Sequence, residues 1–263
     1  MASLPIPDRR SGVTYSSIGP DGLVGRLVHD LSGGRVRDRH PAHLDPDLDA
    51  GSLPRLPGWR GSLGQTGSAR SHLESQGVGA GDVFLFFGWF RDVFEDSAGH
   101  WNFLPRGRSV HAFFGWLQVG EVIPMPTGAV AEWAHAPWLS GHPHVRRGPE
   151  PGNAVYVASE SLVLPGLGNT GLAGYGTVKR VRPKTVLTRP GSKSRSLWSL
   201  PGWFDPAAGV LPLSYHGAPE RWSRDGDGIL LSSVGRGQEF VLDCVGRPEA
   251  AAWIASIASS GPP

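Results

Sequence analysis

Two apolar segments that share the triplet Phe-Gly-Trp constrain the fold of this chain more than any other feature. They cover residues 81–91 and 111–121. Short apolar runs that are rich in aromatic residues and bounded by Gly are typical of strands buried on both faces. We therefore predict a central strand pair over residues 81–123. Trp89 and Trp116 line either a barrel core or the floor of a site for a planar base, and the strands alone favour the core.

The amino-acid composition favours a β-rich, α+β single domain that covers residues 1–263. The chain contains 38 Gly and 24 Pro, but also 10 Trp, 4 Tyr and 10 Phe, which indicate a folded core between many turns. Residues 1–66 are predicted to be a loop-rich polar segment, and residues 248–259 a C-terminal helix that begins at Pro248. No apolar run is long enough to span a bilayer, so we expect a cytoplasmic protein without membrane contact.

Charge and cysteine content exclude several classes of protein. A single cysteine, Cys244, rules out an intrachain disulfide framework and a zinc site built from several cysteines. The net charge of +2 limits any nucleic-acid footprint to a local patch. Residues 176–200 contain many Lys and Arg residues and no acidic residue, so they form either a solvated face or a phosphate-binding surface. The predicted phosphate contacts are Arg189, Lys193 and Arg195.

An imidazole and three carboxylates lie close together between residues 43 and 49. In an extended segment they alternate onto one face, and they are His43, Asp45, Asp47 and Asp49. The spacing of His43 and Asp45 resembles part of a site with two histidines and one carboxylate, which would hold a divalent metal such as iron or zinc. A distant histidine such as His216 or His142 would complete it. The alternative is an Asx-rich turn whose carboxylates bind their own backbone.

Polar groups near the ends of other strands are further candidates for a site. Residues 213–216 and 234–242 are predicted strands, and His216 and Glu239 would converge with His43, Asp45 and Asp47 as catalytic groups. The candidate base-binding residues are Trp89, Trp116, Trp198, Arg91, Glu121 and Gln238. The segment His142-Pro143-His144 is too tight to give two ligands of a standard site. We predict that it belongs to a loop that packs Trp133 and Trp138 on the barrel.

Segments spread along nearly the whole chain form a joint pattern. They are residues 4–8 (Leu-Pro-Ile-Pro-Asp), 43–48, 64–65, 72–78, the two Phe-Gly-Trp strands, 153–158, 195–198, 213–216 and 237–241. In this pattern the chain resembles the third family of nucleotide modification associated domains, which occurs in bacterial and phage systems that alter nucleic-acid bases. Members of that family carry a further stretch before the segment at residues 4–8, which here lies almost at Met1. If the chain is a shortened form, a strand and site residues are missing.

The resemblance implies association with base modification, a nucleotide or nucleic acid as partner, and contact with other proteins of a modification system. A second similarity concerns the fold. A strand that opens at Gly81-Asp82, followed by one that ends in Val-Gly-Glu-Val, is similar to the core hairpin of PUA-like barrels of the ASCH and EVE type. We therefore expect a PUA-like β-barrel with loop and helix decorations.

Two functions from different classes follow from these observations. In the first, the chain is an enzyme that acts on a base or nucleotide through the polar groups around His43. In the second, it is a non-catalytic reader of modified bases that stacks the base on tryptophan and contacts phosphate through residues 189–195. A structural or regulatory role is the third option.

Overall fold

The computed structural model describes residues 1–125, 134–146, 150–208, 213–234 and 239–260. It confirms the β-rich α+β class, with a sheet curled into a half-barrel. The strands are β1 Ser62–Gln65, β2 Val83–Arg91, β3 Val93–Glu95, β4 Trp101–Phe103, β5 Ser109–Pro124, β6 Ala154–Ala158, β7 Ser161–Leu164, β8 Gly168–Ala173, β9 Tyr175–Thr177, β10 Leu197–Pro201, β11 Trp222–Asp225 and β12 Gly228–Ser232. The α-helices are α1 Leu23–Leu31, α2 Gly67–Ser75, α3 Pro143–Arg146 and α4 Pro248–Ala258. The likeness to a PUA-like barrel stays a prediction.

The central sheet has the strand order β1-β6-β5-β2, and β9 also pairs with β5. The two Phe-Gly-Trp strands are β2 and β5, and they pair in antiparallel fashion as predicted, with Phe86 opposite Gly115. A β-bulge lies between Phe86 and Phe87. A side chain at Gly115 would collide with Leu48 and with the carbonyl of Gly176. Glycine there lets the chain around Leu48 pack directly on the sheet.

The core lies on both sides of this sheet. One cluster joins Leu48 and Leu63 to Leu117 and Tyr156, all buried. On the other side α4 packs on β5, with the rings of Trp253 and Phe113 5.5 Å apart in a T-shaped contact. The C-terminal helix therefore covers the sheet because its apolar face matches the aromatic strand beneath it.

A helix within residues 1–66 departs from the predicted loop. Helix α1 encloses a separate small core in which Val28 packs with Tyr15, Ile18 and Ala42. Its leucines and valines have helical spacing, but Gly25 in its middle weakens that signal. In the structure Gly25 lies against the backbone of Ser16, where a Cβ atom would be 3.2 Å from the Ser16 Cα atom. The glycine therefore serves helix packing rather than ending the helix.

Residues 213–216 form a turn instead of the predicted strand. Tyr215 has a φ of +65°, a conformation that breaks an extended strand. Residues 235–238 of the predicted strand 234–242 lie outside the described residues, and the described part of it is irregular. Across the described ranges, no helix combines the length and apolar character needed to cross a membrane.

Candidate metal centre

Three side chains from two distant parts of the chain converge beside β1: His43, Asp45 and His144. One ligand atom from each lies within 4.8 Å of the others, and no other group of this kind occurs among the described residues. Asp45 Oδ2 is 3.2 Å from His144 Nε2 and 3.7 Å from His43 Nε2. The side chains of Asp45 and His144 are only 2% and 4% exposed, and that of His43 is 13% exposed. The cluster is therefore nearly closed to bulk water.

Strand β1 holds two members of the cluster through Gly64. The backbone N–H of Gly64 donates to Asp45, 2.9 Å from Oδ1 and 3.2 Å from Oδ2. The imidazole of His144 lies directly over the same glycine. An ideal Cβ atom at Gly64 would overlap the His144 ring and lie 2.9 Å from the His144 Cβ atom. Only glycine leaves this space, so β1 both anchors the carboxylate and seats the ring.

Hydrogen bonds outside the cluster fix the tautomer of both imidazoles. Asn153 donates through Nδ2 to the carbonyl of His144 at 2.7 Å, so its Oδ1 atom is the acceptor for His144 Nδ1–H, also at 2.7 Å. The carboxylate of Asp8 accepts from His43 Nδ1–H at 2.9 Å. When Nδ1 carries the hydrogen, the neutral ring presents a lone pair at Nε2. Both Nε2 lone pairs therefore face Asp45.

This arrangement matches a cation site. Two nitrogen lone pairs and a carboxylate repel one another at the observed separations unless a proton on Nε2 or a metal cation lies between them, and a metal cation can bind all three ligand atoms at once. Ligand atoms about 2.1 Å from one metal ion are roughly 3.0–3.4 Å apart in octahedral or tetrahedral geometry. The 3.2 Å between His144 and Asp45 lies in this range, and the 3.7 Å between His43 and Asp45 is slightly longer. Partners such as Asp8 and Asn153, which bind the second ring nitrogen, are typical of metal-bound histidine.

The segment His142-Pro143-His144 differs from its prediction. The sequence predicts a packing loop, yet Pro143 begins α3. This helical turn places His144 beside Asp45, and His142 lies at the residue before it. His142 Nδ1 accepts from the backbone N–H of His144 at 3.2 Å, and His142 Nε2 is 3.9 Å from Asp45 Oδ1. Trp138 packs in the core as predicted, whereas Trp133 lies outside the described residues.

A pocket of about 180 Å³ lies beside this cluster, and its wall includes Leu44, His142 and Pro143, close sequence neighbours of the three cluster residues. Trp59 and Trp138 contribute indole rings to its lining. Asp47, which also lines it, forms two hydrogen bonds of 2.6 Å with the guanidinium of Arg55, and that guanidinium lies 4.1 Å above the Trp59 ring. Burial raises the pKa of the Asp47 carboxyl, while Arg55 acts in the opposite direction. Asp47 is thus an ion-pair partner in the pocket wall and is not one of the three side chains of the cluster.

His216 and Glu239 are held elsewhere by other partners. His216 is fully buried, donates from Nδ1 to the carbonyl of Ser214 at 2.8 Å and accepts at Nε2 from the N–H of Val234 at 3.2 Å. Both ring nitrogens are therefore engaged in packing this turn, and His216 does not complete the metal group. Glu239 accepts from Gln65 Nε2 at 2.8 Å. Gln238 lies outside the described residues.

The three tryptophans predicted to stack a base differ in exposure. Trp116 and Trp198 are 5% and 3% exposed. Their rings are covered by core residues, which corrects the expectation that they offer a surface to a base. Trp89 is 48% exposed, and the guanidinium of Arg195 lies 4.4 Å from its ring centre. Trp89 is therefore the one of these three whose ring is open to a ligand.

The charged candidates are also spread over several places. Arg91 stacks on Phe103 at 3.8 Å and lies 6.0 Å from the ring of Trp89. Arg189 pairs with Asp225 at 3.1 Å. Glu121 pairs with His135 at 3.1 Å. Lys193 is exposed in the loop that leads to Arg195.

The fold and the cluster together define a β-rich α+β protein with a buried two-histidine, one-carboxylate group. The chain belongs to the family described as nucleotide modification associated domain 3, whose family model matches residues 1–243. Neither the curated proteins nor the solved structures give a significant match. The family description connects the chain with nucleotide modification.

Sequence reasoning found His43 and Asp45 but missed the residues that complete and support the cluster. They are His144, Asn153, Asp8 and Gly64. Pro143 is a residue typical of the start of a helical turn, and such a turn would place His144 near the cluster. The short spacing from His142, however, indicates that the two histidines do not both bind one metal. Because Asn153 and Asp8 act through contacts 9 and 35 residues apart in sequence, no local pattern indicates them.

Proposed function

We propose that this chain is a metal-dependent enzyme that acts on a nucleobase or nucleotide. One observation carries the proposal. The imidazoles of His43 and His144 each donate from Nδ1 to a residue outside the cluster, so their two Nε2 lone pairs and the buried Asp45 carboxylate face one point. A divalent metal such as iron or zinc bound there by His43, Asp45 and His144 would supply a Lewis acid beside the substrate. The family description, nucleotide modification associated domain 3, supports a substrate of this class.

The surrounding residues have separate tasks in this proposal. Asp8 and Asn153 orient the two rings and keep Nε2 free of hydrogen. The adjoining pocket, with Trp59 and Trp138 in its lining, excludes water and accepts a planar ring. At about 180 Å³ it is smaller than the roughly 300 Å³ of sites for drug-sized ligands, so it suits a single base.

The test is a chemical assay on the metal-loaded protein. Mononucleotides and single-stranded DNA and RNA are incubated with it, and the nucleosides are then analysed by mass spectrometry. We expect a change in the mass of one base that stops on chelation and is lost in Asp45→Asn. The control is Asp49→Asn, a nearby carboxylate that accepts from the N–H of Gly51 at 2.9 Å. A mass change that survives chelation or the Asp45→Asn substitution would overturn the proposal.

A non-catalytic reader of modified bases is the second candidate function. The observation that favours it is the exposed ring of Trp89 with Arg195 beside it. Such a reader would bind modified oligonucleotides without altering them, and its affinity would not depend on metal. Mass analysis of the bound oligonucleotide after incubation with metal-loaded protein separates the two functions, because a reader leaves every base unchanged.

A further inference from the structure

An exposed indole flanked by arginine lies at the end of β2. Trp89 is 48% exposed, although a large aromatic side chain usually gains by burial. Its Nε1–H donates to Ser109 Oγ at 2.7 Å, which fixes the ring plane. Arg195 lies 4.4 Å from the ring centre, and Arg91 lies 6.0 Å from it. The ring is therefore held in a fixed plane close to two cations, with about half of the residue's surface exposed.

The cations at this ring and in the loop that carries Arg195 lack ion-pair partners in the described part of the chain. Arg91, Lys193 and Arg195 form no ion pair there, whereas Arg189 at the start of the same loop pairs with Asp225. The loop is closed by the Arg189 N–H, which donates to the carbonyl of Leu197 at 2.8 Å. The loop therefore presents Lys193 and Arg195 to solvent as uncompensated cations.

We propose that Trp89, Arg91, Lys193 and Arg195 form a binding surface for single-stranded nucleic acid. An open aromatic ring stacks a base of any sequence, and uncompensated cations bind the phosphates on either side of it. Duplex DNA buries its base faces, so it cannot use the ring. This inference rests on the proposed function in one respect: it makes the substrate a base within a strand rather than a free nucleotide.

The N-terminal segment connects this surface with the metal centre. Ala2 pairs with Arg91 through two backbone hydrogen bonds of 2.8 and 3.1 Å, and Asp8 binds His43. A chain extends at most about 3.3–3.6 Å per residue, so the backbones of Ala2 and Asp8 are within about 20 Å. At about 3.4 Å per nucleotide, roughly six nucleotides span that distance. A single strand of that length bound at Trp89 therefore covers the distance to the segment that carries Asp8.

The test is fluorescence anisotropy with ten-nucleotide single strands of DNA and RNA, the matching duplex and the mononucleotide as competitor. We expect the single strands to bind more tightly than the duplex and the mononucleotide, with affinity that falls as salt rises. Trp89→Ala should weaken binding about 5- to 150-fold through loss of stacking. Arg195→Gln should reduce the slope of log affinity against log salt by about 0.7, the effect of one phosphate contact on a single strand.

The control is Arg224→Gln, which removes the same charge from β11, where Arg224 pairs with Asp205 at 2.7 Å. It should leave the affinity unchanged. Affinities unaffected by both Trp89→Ala and Arg195→Gln, or single strands that bind no better than the mononucleotide, would overturn the inference. Metal content is measured on the same samples. Wild type that takes up no Zn²⁺ on titration but still binds single strands through Trp89 would support this surface while refuting the metal-dependent enzyme.

Discussion

Replacing Gly64 by alanine tests how the fold positions a metal ligand. A Cβ atom at this position overlaps the His144 ring, whereas carbon atoms in contact are normally about 3.5–4.0 Å apart. The ring must therefore retreat by roughly 1 Å. Metal sites tolerate ligand displacements of only about 0.2 Å. We expect Gly64→Ala to weaken metal binding at least about 10- to 100-fold, the range for loss of ligand positioning, or about 1.4–2.8 kcal/mol.

The same substitution should also destabilise the fold by about 1–3 kcal/mol, because the added methyl group overpacks a buried site. The matched control is Gly61→Ala, at the residue before β1. Its Cβ atom would lie 2.6 Å from Tyr175 and therefore overpack the core without touching the metal ligands. Titration calorimetry with Zn²⁺ and thermal denaturation separate the two effects. If Gly64→Ala lost stability but bound Zn²⁺ as tightly as Gly61→Ala, our account of His144 would be refuted.

Two further substitutions give independent checks. Burial, with a smaller effect of Arg195, lowers the pKa of His111 to about 4, and its Nδ1 accepts from Trp198 Nε1–H at 3.0 Å. Between pH 6.5 and about 4 the unfolded chain binds the proton and the folded chain does not, so stability should fall by about 2–3 kcal/mol as pH drops through this window. The variant His111→Asn keeps an acceptor for Trp198, and its stability, measured by urea unfolding, should no longer fall over this pH range. A pH profile of stability equal to that of wild type would contradict this account of His111. The substitution Asn153→Ala leaves the Nδ1–H and the carbonyl of His144 without their partner. It should lower the free energy of unfolding by about 2–4 kcal/mol and the Zn²⁺ affinity about 10- to 100-fold. Unchanged Zn²⁺ affinity would contradict a positioning role for Asn153.

The regular parts of the fold could be predicted because their signals are local. The Phe-Gly-Trp runs, residues 153–158 and the C-terminal helix each carry an apolar period or a capping residue that belongs to one element. The structure places β2, β5, β6 and α4 at these positions. The sequence does not predict helix α1, because Gly25 interrupts its helical spacing. Glycine is needed there because the backbone of Ser16, nine residues earlier, lies against it.

The candidate site could be predicted only in part. His43 and Asp45 stand two residues apart, so their pairing is visible in the sequence. His144 reaches them only because α3 turns it over Gly64, which depends on how β1 pairs with β6. The sequence groups Asp47 with His43 and Asp45, but in the structure Asp47 forms a bidentate ion pair with Arg55, eight residues later. Alternation along a strand cannot reveal such a competing partner.

The metal stoichiometry of the purified protein tests the central claim most directly. Metal-depleted wild type is titrated with Zn²⁺ and Fe²⁺ beside Asp45→Asn, His144→Gln and the control His100→Gln, whose imidazole is 68% exposed on the loop between β3 and β4. We predict one metal ion per chain for wild type and His100→Gln, and loss of binding in the other two. Absence of binding to wild type, or equal binding to all four proteins, would contradict a metal centre at His43, Asp45 and His144.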